Sequence, residues 1–235
     1  MPAKSLGGFL GVSLLVISML GLGLLAILTF YPLEQNSFSY QRNAAFVMLA
    51  VIDIMGITAS FFSPECSGII DTYSTKEPVE PKKNDRPSIR YEGHHPACRE
   101  FESHVFKISK KTYCAGCTGL ATGATLSLIG VFLALNGVRL QSEGTIFWLG
   151  FLLVLLGQLQ HLLARRSSMR MVISFGFVFG AFLILVGIDE IVSNNYLNFY
   201  FLMLIIFMTM TRAVISRQTH AAICKQCIST CQSDE

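Results

Sequence analysis

Long apolar runs separated by short polar stretches dominate this chain. From Ser5 to Pro32 there is no charged residue at all. A helix crosses the hydrocarbon of a bilayer with about 20 apolar residues. On that measure six spans are expected: Leu6–Tyr31, Asn43–Phe62, Thr118–Val138, Gly144–Ala164, Met171–Val192 and Tyr196–Ile215. The expected fold is all-α, a polytopic membrane helix bundle with a small cytoplasmic Cys/His metal-knuckle loop. Residues 1–63 hold the first two spans, 64–117 the loop, 118–215 the other four spans and 216–235 a Cys-rich tail. The first span resembles a signal peptide in having Lys4 ahead of it, but secretory apolar regions run only about 7–15 residues. It also lacks a clear small-x-small cleavage site before Tyr31, so a retained helix is expected.

The polar stretches differ in kind. Pro64, Pro78, Pro81 and Pro87 punctuate a mixed-charge segment over 64–93 that has too little apolar surface for a core. Residues 94–117 then bring "HVFKI", whose weak alternation predicts a short strand, and "SKK", which is placed to turn the chain into "TYCAGC". Small residues predict close helix packing: Gly119 and Gly123, extended by Ser127, and Gly176 with Gly180. After Gly187 the chain has neither Gly nor Pro, so the last helix is expected to leave the membrane and run as far as Cys231.

Composition sharpens the membrane reading. Of 235 residues, 52% are hydrophobic and 14% charged, against about 25% charged in soluble domains. With six spans, sixteen of the Lys and Arg residues share one side and only Arg42 and Arg139 lie on the other. Positive charge collects in the cytoplasm, so both termini and the long loop are expected there, in a cell-membrane protein. The net charge of +3 then points to anionic lipid headgroups as partners and not to nucleic acid.

All seven cysteines and five histidines fall on the same expected side. The cytoplasm is reducing, so clustered thiols there read as metal or redox groups before disulfides. The first cluster is His94, His95, Cys98, His104, Cys114 and Cys117. A Cys-x-x-Cys turn aims two sulfurs at one ion, and Gly116 inside it would allow an unusual backbone angle. Cys98 and one histidine, His95 before His104, would complete a tetrahedral Cys3His zinc set. Zinc is favoured over iron or an iron–sulfur cluster because histidine is abundant. The plainer alternative is free thiols at an interface. The second cluster, His220, Cys224, Cys227 and Cys231, lies on one helix face. Its 11-residue reach is about 16 Å of helix axis, too long for one ion to touch all four. It is a second metal site, an amphipathic tail with small apolar or acylated cysteines, or part of one composite site docked on the first cluster.

Polar residues inside the spans are few. Asp53 sits mid-span, where a carboxylate is costly; it is a functional group, or a protonated acid hydrogen-bonded to a neighbouring helix. Gln158, Gln160 and His161 line a polar vestibule or cap the bundle near the headgroups. Asp189 and Glu190 mark the outer end of the fifth span. No P-loop, G-x-S-x-G, H-E-x-x-H or paired-carboxylate motif is present, and Cys114-x-x-Cys117 lacks the βαβ setting of a thioredoxin-like site.

The stretches "CAGCTGLATGA" and "QLQHLLARRSSMRMVISFGFVFG" resemble an uncharacterised family of small prokaryotic polytopic membrane proteins, a domain of unknown function. The resemblance covers residues 94–180, through Cys98, Phe101, Cys114, Cys117, Thr118, Gly119, Gln160, Arg166, Ser167, Arg170 and Gly176. The chain departs in "HHPAC", where the family more often reads Cys-His, and in Gly116, where Arg is frequent. The resemblance implies a membrane bundle with a Cys/His site and no particular activity. Three functions are therefore carried forward. The first is a non-enzymatic membrane protein with a structural zinc site, supporting transport or a membrane assembly. The second is an ion or small-solute transporter using Asp53 and the Gln158–His161 patch. The third is a membrane thiol or iron oxidoreductase.

Overall fold

The computed structural model describes the backbone of residues 3–31, 39–62, 91–92, 95–96, 99–108, 111–138, 144–192 and 194–233, and side chains over most of these. The helices are α1 (Ala3–Phe30), α2 (Ser39–Phe62), α3 (Ala115–Leu135), α4 (Thr145–Gln158), α5 (Gln160–Leu163), α6 (Ser167–Ile191) and α7 (Asn195–Ser233). Two small antiparallel pairs lie in the loop: β1 (Tyr91–Glu92) with β2 (His95–Pro96), and β3 (Val105–Ile108) with β4 (Lys111–Cys114). The expected strand and turn before the Cys-x-x-Cys are thus the β3–β4 hairpin. Phe106 and Tyr113, directly opposed across it, stack at 5.7 Å.

Among the described residues five helices are long and apolar enough to cross a membrane, as expected of a multi-pass helical bundle. The expected fourth span is the exception. Its apolar helix α4 has 14 residues, about 21 Å at 1.5 Å per residue, short of a bilayer core. It stops at Leu159 (φ −83°, ψ 7°), and α5 continues for four residues. The break falls where Gln158 and Gln160 turn their amides toward other helices.

Local chemistry explains several boundaries. At the end of α3, Gly137 takes φ +86°, the amide of Val138 bonds Leu133 O, and that of Gly137 bonds Ala134 O. This left-handed glycine cap closes the helix. Asn194 opens α7, its Oδ1 accepting from the amides of Tyr196 and Leu197 at 2.9 and 3.2 Å. With no Gly or Pro to stop it, α7 runs unbroken past Cys231, as the sequence predicts.

The glycine rows set the packing. A Cβ on Gly123 would sit 2.7 Å from Phe175 O, and one on Gly150 2.7 Å from Gly180 O. Backbones this close hold helices together in lipid, where apolar burial alone gives no preference. Ser127, next along α3, donates to Asp53 of α2, and Gly130 meets Phe182 of α6.

These contacts also give each helix a direction. Positions 119, 123 and 130 of α3 meet 171, 175 and 182 of α6, so the two run parallel. Along α4, positions 147, 150 and 157 meet 187, 180 and 177 of α6, which is antiparallel. Gly56 and Asp53 of α2 meet Leu120 and Ser127 of α3, and Gly11, Ser18 and Gly21 of α1 meet Gln218, Thr211 and Leu204 of α7, both antiparallel. At the C-terminal end of α1, Phe30 stacks on Trp148 at the start of α4. Directions therefore alternate along the chain. The start of α1, the hairpin, the α5–α6 turn and the end of α7 share one end of the bundle, called the loop end below.

Candidate functional site

Two polar features meet at the loop end. One is the hairpin–helix junction. Cys114 closes β4 and stands just before α3, with Cys117 in the first turn; both are buried and neither is in a disulfide. The Thr118 hydroxyl donates to Cys114 O at 2.9 Å and fixes the junction. Gly116 is an ordinary helical residue without positive φ, and a Cβ there would meet nothing within 4 Å. The expectation of an unusual angle is therefore wrong: the turn between the sulfurs is the start of the helix.

The 3-10 turn Arg99–His104 carries Phe101 and His104 onto α6 and α7. Phe101 and His104 are buried. The His220 ring, from the far end of α7, lies 5.3 Å from His104 and 5.7 Å from Phe101. Loop and tail, expected as two clusters, thus touch through their histidines. Among the described residues no three His, Cys, Asp or Glu side chains converge as a metal site. His94 and Cys98 lie outside the described residues. For His95 the backbone alone is described, in β2, and for Cys224, Cys227 and Cys231 the α7 backbone alone.

The second feature lies deeper between α5, α6 and α7. Ser174 donates to Gln160 Oε1 at 3.0 Å. Arg212 Nη2 donates to the same oxygen and to Ser174 Oγ, the latter at 3.3 Å. The Arg212 guanidinium stands 4.1 Å over the Phe177 ring. Gln158, 1% exposed, donates to Met208 O at 3.4 Å. His161 hydrogen-bonds the Arg212 backbone and lies within electrostatic reach of both Arg212 and Arg170. Arg170 in turn lies within reach of Cys114, so it stands between the two features.

Asp53 does not join this group. It is 3% exposed and accepts a 2.5 Å hydrogen bond from Ser127 Oγ on α3. Ser127 lies eight residues beyond Gly119, the residue that packs on Ser174, and so about 12 Å further along the helix. Asp189 and Glu190 are partly exposed at the opposite end of α6. Sequence reasoning missed Ser174 and Arg212 as site residues and counted Arg212 only as tail charge. The available signal was an arginine with apolar residues on both sides inside a predicted span. Nothing local says that its head turns inward, because long basic side chains near helix ends usually reach for the headgroups.

Compared with family models, curated proteins and solved structures, the chain matches none. The resemblance therefore rests on the quoted residues alone.

Proposed function

We propose that this is a non-enzymatic integral membrane protein of the cell membrane with six spans and both termini in the cytoplasm. In this reading α4 and α5 together make the fourth crossing, and the alternating helix directions support it. A structural zinc ion held by the Cys/His element clamps the long loop and the α7 tail to the bundle, in support of transport or of a membrane assembly. Its lipid partners are anionic headgroups at the cytoplasmic face.

The observation that carries the reading is the contact between His104 and His220, 5.3 Å apart and both against Phe101. It favours one composite site over two separate ones. Cys114 and Cys117 supply thiols at a helix N-terminus, whose partial positive charge suits a zinc–thiolate centre of negative net charge. One of Cys98, Cys224 or Cys227 and one histidine would complete four ligands. Natively purified protein should hold about one zinc per chain and show no visible absorbance. Cys114→Ser and Cys117→Ser should lose the metal, and His220→Ala should lower its content. A metal-free wild type sinks the proposal, and absorbance from iron would return the oxidoreductase.

A second reading, a small-solute transporter, draws on the Gln158–Gln160–Arg212 group, in which the two glutamines are buried. Flux in liposomes that is unchanged by Asp53→Asn removes Asp53 from any such path.

A further inference from the structure

Buried cations need partners. Taking a guanidinium out of water costs several kcal/mol after relaxation, unless charge or hydrogen bonds offset it. Arg212 has two neutral acceptors on Nη2, while its Nη1 is buried without a hydrogen-bond partner among the described residues. Arg170 has the same deficit at Nε. His161 lies within electrostatic reach of both. Arg170 and Arg212, on α6 and α7, thus lie within electrostatic reach of one histidine of α5, and the described contacts of the two arginines include no carboxylate. Arg170, Arg212 and His161 each keep part of their surface exposed, while the two unfilled donor atoms are themselves buried. Arg165 and Arg166, exposed on the α5–α6 turn, rim the same end.

We propose that Arg170, Arg212 and His161 form a binding site for a phosphate-type oxyanion. Guanidinium donors left unfilled are the part of an arginine that grips such an anion, often with two parallel bonds. Basic pockets between helices at the cytoplasmic face are where acidic lipid headgroups lodge. The oxyanion is therefore the phosphate of an anionic phospholipid, or free phosphate. The site rests on the membrane-spanning reading above but not on the zinc centre.

The test uses full-length protein reconstituted into vesicles of equal parts phosphatidylglycerol and phosphatidylcholine, then released into detergent for native mass spectrometry. Wild type should retain phosphatidylglycerol selectively, and Arg212→Gln and Arg170→Gln should each lose that selectivity severalfold, with Arg166→Gln as the rim control. If retention is not selective but inorganic phosphate raises the melting temperature of wild type and not of the variants, the ligand is the free anion. Wild type that shows neither selective retention nor a phosphate shift overturns the proposal, as do folded variants that behave like wild type. Should Arg212→Gln fail to fold, Arg170→Gln and the wild-type arms decide. Resistance of the protein to carbonate extraction, scored on the same membranes, reports separately on the spanning reading, and metal content on the zinc reading.

Discussion

Between Phe147 and Gly157, α4 meets α6 through glycines and bare backbone. One turn further along, at Gln160, the same side of the bundle meets α6 through an amide, a hydroxyl and a guanidinium. The first region is held by shape. Lipid is as apolar as leucine, so the helices stay together because Gly150, Gly180 and Gly187 let them approach. The second is held by chemistry: hydrogen bonds tie Gln160, Ser174 and Arg212 together across three helices. The seam should therefore reject added volume, and the polar cluster should reject the loss of a donor or acceptor.

The largest test of that contrast is Gly150→Val. Its Cβ would lie 2.7 Å from Gly180 O and 2.8 Å from Ile184 N; backbone cannot swing aside, so the cost should reach about 3 kcal/mol or more. Purification should yield little monodisperse protein, and a normal melting temperature would break the contrast. Next is Gln160→Leu, which keeps volume but strips Arg212 and Ser174 of their acceptor. A loss of about 1–3 kcal/mol is expected, read in chemical or thermal unfolding, while Gln160→Glu should be tolerated because it keeps an acceptor for both. Equal effects of the two substitutions would mean that volume, not hydrogen bonding, matters there. Smaller still is Asp53→Asn: the side chain still accepts from Ser127, so a change within about 1 kcal/mol is expected. Least of all is Gly116→Ala, which meets open space in a helical turn. It should be neutral or gain about 0.5–1 kcal/mol; a marked loss of stability would restore a special role for that glycine.

Much of the architecture was legible along the chain. The runs around Val12, Val51, Val131, Phe179 and Ile205 predict spans, and five are long apolar helices. The absence of Gly and Pro after Gly187 foretold the length of α7, and Gly119, Gly123 and Gly180 foretold where backbones meet. The break at Leu159 was not legible, since "LLGQLQHLL" contains no proline and no strong helix breaker at that position. The glutamines on either side of it, Gln158 and Gln160, both find partners on other helices. Gly116 was misread because a glycine between two cysteines looks the same in a tight knuckle and in the first turn of a helix.

By itself the sequence determined which segments are apolar enough to enter a membrane and how far α7 extends. These depend on runs of neighbouring residues and on local backbone energetics. Only the tertiary structure decided that His104 touches His220, that Asp53 is held by Ser127, and that Arg212 turns inward over Phe177 beside Gln160 and Ser174. Such pairs lie tens to more than a hundred residues apart. Which of them meet is set by how close the glycine seams let each helix come to the next.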